Sequence, residues 1–258
     1  MPVPLDSTKY ESKPFFNPPD FIGYIRDLGR LGDRQPPETV ILSYQRSLFD
    51  HVCTHRRVSA PEGYFAGELR YLDETDGKIA IAGRFGVGAP AAAVMLEELI
   101  AFGARRFVSI GTAGSLRSDL PPGSLVLCDA AFRDEGTSYH YLPGGAPVLP
   151  SEVLTGRLAA ALAGRALSFR TGPAWTTDAI YRETPEEVVK LRDMGALVVE
   201  MEAAALFAVA RFRAVGIAAC FSVSDTLAEL AWRPEFHAET TTEGLEALFA
   251  AALEALED

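Results

Sequence analysis

Apolar residues recur in two rhythms along this chain. Phe21, Ile22, Ile25, Leu28 and Leu31 fall at helical spacing, which predicts a short amphipathic helix ended by Gly32 and the Pro36-Pro37 pair. Residues 38–44 read as a buried strand and 45–57 as a helix with Leu48, Phe49 and Val52 on one side. Two strands, 67–73 and 78–85, flank the turn signal Thr75-Asp76-Gly77. From residue 78 onward apolar strands alternate with helices. A helix is expected over 91–103, with Pro90 in its first turn and Gly103 at its end. A strand then runs into a glycine-rich loop at Gly111–Gly114, and another covers 124–132. Residues 134–150 form a long polar and aromatic loop. Beyond it come a helix N-capped by Ser151, a strand over 166–175, a helix over 184–195 and a strand over 196–202. An Ala-rich helix, a strand over 217–225 and a helix with a Thr240/Glu243 capping box close the chain. Strands apolar on both faces and alternating with helices predict an α/β layer sandwich. With no repeat or linker, residues 1–258 read as one domain, the Pro-rich first twenty forming an arm.

Charge and cysteine content narrow the classes. The chain carries 24 Lys+Arg against 35 Asp+Glu, a formal net charge of −11. That argues against general nucleic-acid binding and against an anionic membrane surface, both of which need clustered cations. Three scattered cysteines without a CxxC, and no export signal, predict reduced thiols and a cytoplasmic protein. His51 and His55 stand at i,i+4 with no third ligand nearby in sequence, so they read as a polar helix face and no metal is expected.

Four segments could carry chemistry. Gly86-x-Gly88-x-x-Ala91 lies between a strand and a helix, where backbone N–H groups favour an anion. The acid that a dinucleotide fingerprint requires on the next strand is missing, because that strand ends in Gly111-Thr112. Gly111-Thr112-Ala113-Gly114 is a donor-rich stretch suited to phosphate or sugar. Glu200 and Glu202 flank Met201 at the end of an apolar strand. Buried carboxylates there need a partner; they either start the following helix or accept two adjacent sugar hydroxyls. Finally, an apolar strand ends in Ser224-Asp225, where burial can keep an Asp protonated as an acid; the plainer alternative is an Asx turn.

The stretches 86–116, 198–210 and 222–225, in that order, resemble the nucleoside phosphorylase family, which includes uridine phosphorylases, bacterial purine nucleoside phosphorylases and methylthioadenosine nucleosidases. The likeness covers roughly residues 78–256. It implies a single-domain three-layer α/β sandwich around a central mixed, bent sheet. It further implies phosphate-dependent cleavage of a nucleoside N-glycosidic bond, giving ribose 1-phosphate and a free base. Inorganic phosphate is then a co-substrate and no cofactor is needed. By the resemblance, Met201 lies against the ribose and Glu202, with Glu200 beside it, binds the sugar. Gly88 and Thr112 lie by the phosphate. Trp175, Ser224 and Gly114 border the base, and Asp225 is the catalytic acid serving N7 of a purine. The family also implies a homo-oligomer, trimer or hexamer, with no nucleic-acid or membrane partner.

The chain departs from the family in places. A Gly-Asp-Pro-x-Arg motif is expected after the first strand; here Ser43-Tyr44-Gln45-Arg46 stands there. An Arg is expected two residues before the Gly-Thr pair; here it is Ser109. Arg46 or Arg84 would then have to complete the phosphate site. No His precedes residue 51 to match the family's N-terminal His. Uridine phosphorylases read uracil with a Gln and an Arg after the 166–175 strand; residues 176–187 hold no Gln, and Arg182 is not at the matching spacing. The expected activity is therefore a purine nucleoside phosphorylase. A nucleoside hydrolase, a uridine phosphorylase and a non-catalytic nucleoside-binding module remain as alternatives.

Overall fold

The computed structural model describes residues 4–31, 35–60 and 65–257. Ten strands and seven α-helices alternate: α1 (Pro18–Asp27), β1 (Thr39–Ser43), α2 (Arg46–His55), β2 (Val58–Ser59), β3 (Glu68–Leu72), β4 (Ile79–Gly83), α3 (Ala89–Phe102), β5 (Arg106–Ser115), β6 (Leu125–Asp134), α4 (Glu152–Gly164), β7 (Phe169–Thr177), α5 (Pro185–Asp193), β8 (Val198–Glu200), α6 (Ala203–Arg213), β9 (Gly216–Thr226), β10 (Arg233–Pro234) and α7 (Glu239–Glu257). The strands form one mixed sheet, in the order β10-β9-β6-β7-β8-β5-β1-β4-β3-β2. β9 also pairs with β5, so β5, β9, β6, β7 and β8 close on themselves. β1, β4, β3 and β2 extend from β5 as an open wing. This is the α/β layer architecture expected, with the bend carried as far as closure.

Two apolar layers explain why the strands are hydrophobic on both faces. Along β1, Val40 and Leu42 join one core and Ile41 the other. Along β9, Ile217, Ala219, Phe221 and Val223 face the first, and Ala218 and Cys220 the second. The first core is covered by α1, α3 and α6, the second by α2, α4 and α7. α6 can pack closely because its buried face is mostly alanine. A third cluster joins Val188 and Leu191 of α5 to Trp175 of β7.

Several local expectations change. The stretch Gly111–Gly114 is strand, not loop: β5 runs to Ser115 because β9 pairs along one side and β8 along the other. A register shift between Ala113 and Gly114 sets Gly114 opposite Asp225. α7 begins at Glu239, so Thr240 lies inside its first turn and does not cap it. α1 starts earlier, at Pro18, with a capping box between Asn17 and Asp20; its proposed stop at Gly32 lies outside the described residues. The arm, described from residue 4, folds onto the 138–142 region: Tyr10 Oη donates to the Tyr139 carbonyl (2.7 Å) and Lys9 Nζ meets His140 Nδ1 (2.9 Å). Among the described residues no helix is long and apolar enough to cross a membrane.

Candidate active site

The ends of β1, β4, β5, β8 and β9 bring the sequence-selected residues toward one region. Glu200, the last residue of β8, is buried and fully engaged. One oxygen accepts from the Thr176 hydroxyl; the other accepts from the amides of Glu202 and Ala203, each at 2.7 Å. Glu200 thus satisfies the first amides of α6, which a helix N-terminus leaves without partners, and the dipole there favours its charge. Glu202 does not cap α6 with its side chain. It reaches across to α3 and accepts from the Gly88 amide (2.5 Å). The anion-favouring helix start expected at Gly88 is therefore occupied by a carboxylate of the chain itself. Gly88 holds φ at +92°, and a Cβ there would meet Met201 Cε at 3.9 Å, so Met201 lies over the same turn. Burial pushes the carboxyls of Glu200 and Glu202 up; for Glu202 the neighbouring Glu200 adds to the shift.

Asp225 is also buried. Its Oδ1 accepts from Ser224 Oγ (2.8 Å) and its Oδ2 from Trp232 Nε1 (3.0 Å). Burial raises its pKa, and the two hydrogen bonds oppose the rise. Gly114 borders it closely: a Cβ there would lie 3.0 Å from Leu227 Cδ1, 3.1 Å from Asp225 Oδ2 and 3.2 Å from Val199 Cγ1. Glycine is required at this position by close approach rather than by φ. A second acid, in the turn before α5, feels the charge of Asp225. Glu183, half-buried, is pushed up to about 7 by burial first and then by Asp225 and Glu187.

Where the Gly-Asp-Pro-x-Arg motif was expected, at the end of β1, the neutral side chains of Tyr44 and Gln45 stand. Tyr44 Oη and Ser109 Oγ share a hydrogen bond (3.1 Å), and Gln45 Nε2 donates to Thr112 Oγ1 (2.8 Å). Gln45 Oε1 is buried with no hydrogen-bond partner among the described residues, and a Cβ on Gly111 would sit 3.9 Å from it. Arg46 is exposed at the first turn of α2. Arg84 is committed elsewhere: it pairs with Asp50 (2.6 Å) and Glu68 (3.0 Å) and lies over the Phe49 ring. The structure thus gives Arg84 two carboxylate partners, and of the two arginines expected at the phosphate only Arg46 stands without a carboxylate among the described residues. His51 and His55 stack on the α2 face, with His51 bonded to Glu246 (2.8 Å). Among the described residues no group of three or more His, Cys, Asp or Glu could hold a metal.

The family model described as Phosphorylase superfamily matches residues 48–257. The chain belongs to the phosphorylase superfamily. Over 142 residues it is 34% identical to a guanosine phosphorylase of Halorubrum lacusprofundi, covering 55% of this chain and 59% of that protein. The match thus spans less than two thirds of that relative's length. Over 162 residues it is 30% identical to a DeoD-type purine nucleoside phosphorylase of Bacillus cytotoxicus, covering 62% of this chain and 68% of that protein. These relatives are named nucleoside phosphorylases, which are pentosyltransferases. Among solved structures, an AMP nucleosidase from Bacteroides thetaiotaomicron superposes with a TM-score of 0.72 at 22% identity, over 91% of this chain and 96% of that one; this likeness speaks for the fold.

Within this superfamily member, Trp175 is not placed as a platform. It is 1% exposed, packs against Leu116, Val188 and Val199, and donates its indole N–H to Asp134 (3.0 Å). Four side chains at the site went unmarked in sequence. Tyr44 and Gln45 occupy the place where Gly-Asp-Pro-x-Arg was sought, and that departure was their only signal. Glu183 and Trp232 lie in connecting segments without a motif.

Proposed function

We propose that the chain is a purine nucleoside phosphorylase, with guanosine and inosine as the first substrates to try. The observation that carries the reading is the buried, protonatable Asp225 at the end of β9, fixed by Ser224 and Trp232, in one site with the Met201-Glu202 turn. Cleavage breaks the bond from C1′ to N9, and the electron pair leaves with the base. Asp225 gives its proton to N7, which lowers the cost of that charge by an amount typical of general acid catalysis, about 10²–10⁴ in rate. A phosphate oxygen forms the new bond to C1′, and the products are free base and ribose 1-phosphate. Glu202 orients the sugar hydroxyls so that attack is in line, and Glu200 holds the turn that presents Glu202. The Gln45 amide, Thr112 and Ser109 line the nucleophile side. The relatives named guanosine and purine nucleoside phosphorylase support the same substrate class. The resemblance also supports a cytoplasmic homo-oligomer of single-domain chains working without a cofactor.

Hydrolysis is the second reading, favoured by Arg84 being bound to Asp50 and Glu68 and by Gln45 Oε1, which has no partner among the described residues and is an acceptor suited to water. One assay separates the two. The protein is incubated with guanosine, inosine, adenosine and uridine, with and without phosphate, and free base is measured. Release only with phosphate establishes the phosphorylase. Release without it establishes the hydrolase. No release from any of them refutes both.

A further inference from the structure

The bond from Trp232 to Asp225 joins an exposed aromatic to a buried acid. Trp232 is 62% exposed and Asp225 is 7% exposed, so the indole lies at the surface and only its N–H reaches inward. Burial therefore does not place this ring. The segment's backbone does, held by its own turn, by pairing with β9 and by a side chain of α5. The chain leaving β9 reverses at Leu230, which is held at φ +57° with its amide on the Leu227 carbonyl (2.9 Å), a conformation a leucine adopts at a cost. It returns as β10, pairing Arg233 with Thr226 and Pro234 with Asp225, and Glu235 donates its amide to the Ser224 carbonyl (2.9 Å). From α5, Arg192 binds the Ala228 carbonyl (3.2 Å). The strap from 227 to 238 is thus fastened on both sides of Trp232, and the Phe236 ring lies 6.2 Å from it.

We propose that Trp232 is the positioning residue of Asp225: its indole N–H fixes the plane of the acid through Oδ2, and its exposed ring walls the side from which a base arrives. The inference rests on the reading of Asp225 as the acid. Ser224 holds one oxygen and Trp232 the other, so the carboxyl cannot rotate while both bonds stand. Each oxygen keeps a second lone-pair direction, so Oδ2 can carry the proton destined for the base without releasing the indole. With Trp175 sealed in the core, Trp232 is the indole that addresses the acid. An N–H donor also favours the carboxylate, which makes Asp225 readier to release its proton. The charged groups around it are Glu183 from the turn before α5, whose own protonation Asp225 favours, the Glu229–Arg233 pair on the strap, and Arg192 on α5.

The test compares wild type, W232F, D225N and D225N/W232F. Trp175 and Trp232 are the two tryptophans in the sequence, so subtracting W232F emission from wild type isolates Trp232. That difference emission is expected to change in one step with pH, and the corresponding D225N difference is expected to lack it. For base release with phosphate, W232F should lower kcat about tenfold, the loss typical of a hydrogen bond to a charged group, and shift the alkaline limb of kcat to higher pH. A structural cap would lower stability without moving that limb. Trp232 emission without a step, or a step that survives in D225N, overturns the proposal, as do an unchanged kcat and limb in an active enzyme. A wild type that releases no base but shows the Asp225-dependent step refutes the functional reading and supports the Trp232–Asp225 bond.

Discussion

Glu202 accepts a hydrogen bond from the backbone N–H of Gly88, 114 residues away in sequence, and so ties the start of α6 to the first turn of α3. The bond favours the Glu202 charge, whereas burial and Glu200 disfavour it, so an ionised Glu202 is held here at a cost in stability. Glu202→Gln keeps the shape and an acceptor for Gly88 while removing the charge. It should cut kcat/KM for the nucleoside about 100-fold, through misplaced sugar, while the thermal midpoint rises or holds at pH 8. Steady-state kinetics and a thermal melt check both halves. A variant with full activity would remove Glu202 from the sugar site.

The buried carboxyls give stability a pH dependence of defined sign. Glu200 and Glu202 both bind protons more readily folded than unfolded, so the folded state carries the extra protons. Their contribution is fully present below the ordinary carboxyl value of about 4.5, and it is lost as the pH climbs through neutrality. The thermal midpoint should therefore fall from about pH 5 to about pH 8, and the fall should shrink in Glu202→Gln. A midpoint that rises over this range would contradict the burial of this pair as the dominant effect.

The period of apolar residues was enough to place β1, β4, β9 and the helices between them, because both faces of those strands meet helices. It was not enough for the end of β5. Local glycines there read as a loop, whereas pairing with β8 and β9, whose residues lie more than eighty positions on, keeps the segment extended. The edge strands β2 and β10 have two residues each, too short for any period. At the site, Glu202 and Asp225 were legible because a carboxylate ending an apolar strand demands an explanation. The pairing of Arg84 was not legible, because sequence spacing does not reveal Asp50 and Glu68 beside it. The burial of Trp175 was not legible, because it comes from α5 covering that face of β7, and Trp232 stands in a strap without pattern.

Gly114 tests how closely the acid is fitted. Adding one methyl group there brings it within 3.2 Å of Leu227, Asp225 and Val199 atoms at once, and β5 is paired on both sides at this residue, so the backbone has little room to yield. Gly114→Ala should displace the Asp225 carboxyl. The expected result is a loss of about 10²-fold in kcat and a stability cost of about 1–3 kcal/mol for overpacking. Equal activity in Gly114→Ala would show that Asp225 tolerates movement and is not held for catalysis.

The arginines offer the last test, one that also bears on phosphate against water. Arg84 sits between Asp50 and Glu68, which already hold its two terminal nitrogens, so an incoming anion has to compete with two carboxylates. Among the described residues Arg46 has no such partners, and it follows Gln45 directly on α2. In a phosphorylase, Arg84→Ala should leave the KM for phosphate unchanged within about twofold, whereas Arg46→Ala should raise it about tenfold, the scale of one charge-assisted contact. Phosphate-dependent initial rates at fixed nucleoside measure both. A rise confined to Arg84→Ala would mean that the pair with Asp50 and Glu68 opens when phosphate binds. No rise in either variant, with base still released, would assign the nucleophile side to the neutral groups of Tyr44, Gln45, Ser109 and Thr112.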